Sequence, residues 1–150
     1  MNDRYEEFTV LINRISRSIH RIKTRKMACF GLKGAHVSYL YYLYLSEGIT
    51  ASELCEKCAE DKASVSRALD HLEQEGFVFC DSKHEKRYKS PLKLTDKGRA
   101  AAEKIVAIVD SVLDETSGVL SEEERRIFYR NLTAIGERLE KIAEGSGEVL

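Results

Sequence analysis

Ile49-Thr50-Ala51-Ser52-Glu53-Leu54, followed by Asp61-Lys62-Ala63-Ser64-Val65-Ser66-Arg67-Ala68-Leu69-Asp70-His71-Leu72-Glu73-Gln74-Glu75-Gly76-Phe77-Val78, decides how this chain folds. A hydroxyl at Thr50 can accept from a free N–H of a first helical turn, and Glu53 three residues on completes a capping box. A short helix therefore starts here, with Leu54, Cys55 and Cys58 on its apolar side. Asp61 caps a second helix, in which Val65, Ala68, Leu69 and Leu72 recur at three- and four-residue steps as one buried stripe. Gly76 ends it, since glycine takes a left-handed conformation without steric cost.

Phe77 to Cys80 is a β-branched and aromatic run, and Leu92-Lys93-Leu94 alternates as a returning strand would. Between them Asp81-Ser82-Lys83-His84-Glu85-Lys86-Arg87-Tyr88-Lys89-Ser90 is too charged to be core. Helix, turn, helix and a basic hairpin make residues 49–95 a winged helix-turn-helix. The buried stripe leaves Lys62, Ser64, Ser66 and Arg67 off the core, where short donors and long cations suit phosphates and base edges in a major groove. Lys83, Lys86, Arg87 and Lys89 suit phosphates or a minor groove from the wing.

Outward from this core the periodicity stays helical. Phe8, Leu11, Ile12, Ile15, Ile19 and Ile22 predict an amphipathic helix from about Tyr5 to Lys26, with Arg14, Arg17, Arg21, Lys23 and Arg25 on its other face. That face is either simply solvated or a flank near DNA. A second helix is predicted over about Gly34 to Ser46. Its row from Tyr39 to Leu45 is apolar or aromatic on nearly every side, which predicts burial on nearly every side. Its tyrosine hydroxyls need partners, either within the core or at a ligand pocket beside Tyr39 or Tyr42. After Thr95, which caps the next helix, Ala102, Ile105, Val106, Val109, Val112 and Leu113 form a stripe up to Ser117-Gly118. Ser121 caps a last helix carrying Ile127, Phe128, Leu132, Ile135, Leu139 and Ile142. The long helices within 1–30 and 95–144 carry more apolar surface than the winged core can cover, which predicts association with a second copy.

A chain of 150 residues with 43% apolar residues is expected to be a single domain, 1–150, with a normal core. The net charge of −1 conceals basic clusters at residues 14–26 and 83–89 and an acidic C-terminal third. Neither a membrane span nor a signal peptide is legible, so a cytoplasmic protein is expected. Cys29, Cys55, Cys58 and Cys80 are then expected to be thiols. Cys55-Glu56-Lys57-Cys58 is a CxxC, but it lies within a helix rather than after a strand, and no second ligand pair completes a zinc set. The sequence has no phosphate-binding glycine loop, nucleophile elbow or zinc-protease helix, and a solvated face explains Asp110, Asp114 and Glu115. No enzyme, cofactor or metal centre is expected.

With these elements in order, the chain resembles the multiple-antibiotic-resistance regulator (MarR) family of winged-helix transcription factors. The resemblance rests on the two opening stretches and on Leu94-Thr95-Asp96-Lys97-Gly98, and it extends over nearly the whole chain. It implies a mostly α fold, a homodimer formed through the first and last two helices, and duplex recognition by the helix from Asp61 and by the wing. Often it also implies a small effector that shifts DNA affinity. A symmetric dimer would place two recognition helices about one DNA turn apart, matching a pseudo-palindromic operator, and a dimeric repressor is the function expected. One motif departs from the pattern at both of its defining positions. Many members carry Asp-x-Arg in the wing, the arginine six residues before the closing Leu-Thr, whereas this chain reads Lys86-Arg87-Tyr88. Two other readings use the same residues: a thiol- or metal-sensing regulator acting through Cys55 and Cys58, or a protein-interaction module that has lost its DNA.

Overall fold

The computed structural model describes residues 3, 4, 6–81 and 89–145. The chain divides into two compact units, one ending at Ile108 and the other beginning at Val109, the division falling within a long helix. Among the described residues the order of α-helices and strands is α1 (Leu11–Met27), α2 (His36–Leu45), α3 (Ala51–Cys58), α4 (Lys62–Gln74), β1 (Val78–Cys80), β2 (Leu92–Leu94), α5 (Asp96–Ser117) and α6 (Glu122–Ala143), with a short 3-10 turn, Ala28–Phe30, between α1 and α2. This is the mostly α, winged helix-turn-helix architecture expected from the sequence.

In the first unit the core gathers Val37, Tyr39, Leu40 and Leu43 of α2, Leu54 of α3, Val65, Leu69 and Leu72 of α4, and Ile105 of α5. Both capping predictions hold at the atomic level. Thr50 Oγ1 accepts from the Glu53 amide at 3.2 Å while the Glu53 carboxylate accepts from the Thr50 amide at 2.7 Å. Asp61 Oδ1 accepts from the Ser64 amide at 2.9 Å. Between the helices the turn passes through Ala59 in the left-handed region, φ +51°, and the sequence carries no glycine or asparagine to announce it.

Two expectations need correcting. α2 is not buried on every side: Leu45 is 56% exposed and Tyr41, Tyr42 and Tyr44 are half-buried. A tyrosine can keep its ring against apolar neighbours and still reach water with its hydroxyl, so an all-apolar letter string overstates burial. The N-terminal helix is also not uniform, because a π-helical turn over Glu6–Val10 precedes α1. Its apolar stripe is as predicted, but Phe8, Leu11, Ile12, Ile15, Ile19 and Ile22 are all exposed.

β1 and β2 pair antiparallel with Val78 opposite Leu94, Phe79 opposite Lys93 and Cys80 opposite Leu92. Phe77, read as the first strand residue, instead lies just outside β1. Its amide closes the end of α4 by donating to Leu72 O at 2.8 Å. Ile49 extends the hairpin edge, its carbonyl accepting from the Leu92 amide at 2.9 Å. The wing is thereby tied to the residue that precedes the Thr50 cap.

The joint between α4 and α5 is held by side-chain bonds to backbone groups. Thr95 Oγ1 donates to Gly76 O at 2.6 Å and accepts from the Gly98 amide at 3.0 Å, so the predicted cap of α5 also holds the end of α4. Lys97 Nζ donates to Glu75 O at 2.6 Å and stands 4.3 Å from the Phe77 ring centroid. A cation placed on the last carbonyls of a helix complements its dipole.

In the second unit, the rest of α5 and the whole of α6 are joined through Ser117-Gly118. Ser121 and Glu124 form a full capping box, the Ser121 amide donating to Glu124 Oε2 at 2.8 Å. The predicted stripe of α6, Ile127, Phe128, Leu132, Ile135, Leu139 and Ile142, is exposed along its whole length.

Candidate nucleic-acid interface

The outward surface of α4 follows from its inward one. Val65, Leu69 and Leu72 are buried, and the residues between them are consequently turned away from the core. Lys62, Ser66 and Arg67 are exposed and Ser64 is half-buried, so the structure brings the four predicted positions together on the first two turns. The side chains here are already organised. Ser64 Oγ donates to Asp61 Oδ2 at 2.7 Å and accepts from Arg67 Nη2 at 3.2 Å. Hydrogen bonds from the Ser64 hydroxyl and amide, with the nearby Arg67 cation a lesser influence, hold the Asp61 carboxyl below its usual range. Asp61 thus stays ionised, with both of its oxygens engaged by Ser64.

Charge is graded along α4. The first turns carry Lys62 and Arg67, whereas Asp70 and Glu73 occupy the second half and Glu75 caps its end. Lys62, Ser66, Leu69, Asp70 and Glu73 line an open groove of about 170 Å³ together with Ala51 of α3 and Leu92 of β2. One strand of the wing therefore borders the groove that the exposed face of α4 also borders. A phosphate backbone would be attracted to the N-terminal half and repelled by the other, which gives the helix one preferred end for insertion.

Of the wing cations, Lys89 is described and exposed. Lys83, Lys86 and Arg87 lie outside the described residues. At the base of the wing, Lys93 pairs with Asp81 at 3.0 Å, bracing the two strands across the hairpin. A second groove of about 200 Å³ runs past Phe79, Lys93, Leu94 and Arg99, with Glu47 at its rim 3.4 Å from Arg99.

The tyrosines of α2 have different surroundings. Tyr39 is fully buried and its hydroxyl donates to Glu60; burial, then this bond and the Glu60 charge, push its ionisation far up. Tyr42 is half-buried beneath the Lys57 ammonium, 5.5 Å from the ring centroid. Neither tyrosine lines either groove. The Cys58 thiol is pushed up to about 11, chiefly by burial and then by the Glu60 carboxylate, which keeps it protonated and a poor nucleophile. Among the described residues, no three His, Cys, Asp or Glu side chains converge as a metal would require. No helix among them is long and apolar enough to cross a membrane.

Sequence reasoning missed Asp61's second bond and the pairing of His36 with His71. These rings stack at 5.0 Å between α2 and α4, with His36 Nδ1 accepting from the Lys33 amide at 3.2 Å. Their separation of thirty-five positions leaves no periodic signal.

The MarR family model matches residues 30–87. YdgJ of Bacillus subtilis, an uncharacterized HTH-type transcriptional regulator, is 30% identical over 115 residues, which cover 77% of this chain and 70% of YdgJ. YetL of the same organism, an HTH-type transcriptional repressor, is 26% identical over 127 residues, covering 83% of this chain and 76% of YetL. Among solved structures, the S. aureus MepR–DNA complex superposes with a TM-score of 0.80 at 23% identity, covering 88% of this chain and 97% of MepR. A MarR family regulator from Listeria monocytogenes complexed with 26mer DNA gives 0.82 at 19% identity, covering both chains in full. At these identities the structural likeness speaks for the fold.

Proposed function

Because this chain belongs to the MarR family of transcriptional regulators, we propose that it is a homodimeric repressor that binds a pseudo-palindromic duplex site and whose affinity a small effector modulates. The single observation that carries the DNA reading is the first two turns of α4, where Lys62, Ser66 and Arg67 are exposed beside Ser64 and the acid next to them, Asp61, is engaged in capping the helix. Lys62, Ser64, Ser66 and Arg67 meet the major groove in this reading; Lys83, Lys86, Arg87 and Lys89 meet phosphates or the minor groove. The DNA-bound relatives support it through a shared fold, and YetL supports the repressor role by analogy.

Dimerisation is supported separately by each unit. An exposed row of six large apolar residues on the N-terminal helix and another on α6 are more than scattered surface hydrophobics, and a second copy is the partner that presents the same rows in return. A twofold pair would set two copies of α4 about 34 Å apart, one turn of duplex. For the effector, Tyr42 is the more accessible of the two tyrosines, since Tyr39 is sealed against Glu60.

Fragments selected by the purified protein from genomic DNA, then titrated in gel shifts at several salt concentrations, test the proposal. Enrichment of an inverted repeat, with affinity falling steeply as salt rises, is the expected result. Failure to enrich any sequence would remove it.

A further inference from the structure

Arg67 is the base-reading side chain of α4, we infer, and Ser64 is its positioning residue, the hydroxyl linking the guanidinium to Asp61 so that a guanine edge meets a preset donor pair. This rests on the DNA-binding reading above and goes beyond it, because it assigns different tasks to residues that the charge pattern alone treats alike.

The geometry is a relay along one face at three-residue spacing. Arg67 Nη2 donates to Ser64 Oγ at 3.2 Å, and Ser64 Oγ donates to Asp61 Oδ2 at 2.7 Å. The other carboxylate oxygen accepts from the Ser64 amide at 2.9 Å, so Asp61 is fixed at both of its oxygens. An exposed arginine ordinarily loses much rotamer freedom when it orders on a base, and a partner that already restrains it lowers that cost. A guanidinium has five N–H donors, and one bond to Ser64 leaves enough for two parallel acceptors. Guanine presents such a pair, O6 and N7, in the major groove. With its donor and an acceptor lone pair both engaged within the helix, Ser64 has no second proton to offer DNA.

Lys62 and the wing cations act differently. Their task is attraction to phosphates, which depends on charge and distance and needs no fixed orientation of the side chain.

Selection from a randomised duplex library with the full chain, Ser64→Ala, Ser64→Thr and Arg67→Ala tests this. Ser64→Ala keeps the backbone amide that Asp61 caps and introduces a better helix former, so the fold survives, as a thermal melt would confirm. We expect the parent to prefer guanine at one position of each half-site. Ser64→Ala should lower that preference about threefold, a fraction of what one bidentate pair supplies, with the salt slope of binding unchanged. Ser64→Thr, which keeps a hydroxyl, should restore it, and Arg67→Ala should abolish it. If the parent selects a site and Ser64→Ala shows the same preference at every position, the relay assignment is overturned while DNA binding stands. If Arg67→Ala retains the guanine preference, Arg67 is not the reader. If the parent enriches nothing, the regulatory reading itself has failed.

Discussion

Gly98 lies so close to the carbonyl of Phe77 that a Cβ built on it would overlap the Phe77 oxygen and stand 2.8 Å from the carbonyl carbon. This close approach joins the start of α5 to Phe77, the third residue past the end of α4, directly beside the Thr95 and Lys97 bonds to Gly76 and Glu75. Nothing but hydrogen fits on that side of Gly98. The orientation of the proposed recognition helix is therefore set at both ends, by Asp61 at the start and by the first turn of α5 at the finish.

Gly98→Ala should destabilise the fold by about 3 kcal/mol, because the obstacle is backbone and cannot rotate away. Chemical denaturation reads this as a lower midpoint at an unchanged slope. A midpoint equal to the parent's would mean that α4 and α5 are not so closely joined.

Ala59 poses the opposite case. It holds φ +51° in the turn between α3 and α4, a conformation that costs an L-residue more than glycine. Ala59→Gly should stabilise by about 0.5–1 kcal/mol, visible as a higher denaturation midpoint.

Acid should weaken the fold through His36. Its side chain is buried, and desolvation, with the neighbouring His71 and Lys33 adding repulsion, lowers its pKa from 6.5 to about 4. The unfolded chain then binds a proton at a pH where the folded one does not. Stability from this source is present above pH 6.5, falls as the pH drops towards 4, and changes no further below that, a total of at most about 3 kcal/mol. In His36→Asn, whose amide oxygen can still accept from Lys33, the slope of stability against pH between 4 and 6.5 should flatten.

Replacing Lys83, Lys86, Arg87 and Lys89 together by alanine should make binding fall less steeply with salt, by about one unit of slope for each phosphate no longer neutralised. The parent's slope, retained in full, would place the wing away from DNA.

A charge on an exposed apolar row should separate the subunits. Ile15→Asp on α1 and Leu132→Asp on α6 are each expected to shift sedimentation to a monomer, with helical content kept, since neither side chain is buried within the chain. A variant that remained dimeric would take its row out of the interface.

The helices, their caps and the face of α4 were legible in the sequence because their causes are local. A hydroxyl or carboxylate three residues from a free amide, as at Thr50, Asp61 and Ser121, forms its bond wherever the chain lies. The stripe of Val65, Leu69 and Leu72 likewise fixes which residues turn outward. Other features have causes that lie far away in the chain. That Tyr39 is sealed by Glu60 while Tyr42 stays half-open, that His36 meets His71, and that Gly98 must lack a side chain because of Phe77 all depend on which helices come to lie together. Periodicity reports how a segment divides between inside and outside; which partner waits on the inside is decided only when distant segments pack, and tertiary structure alone supplies it.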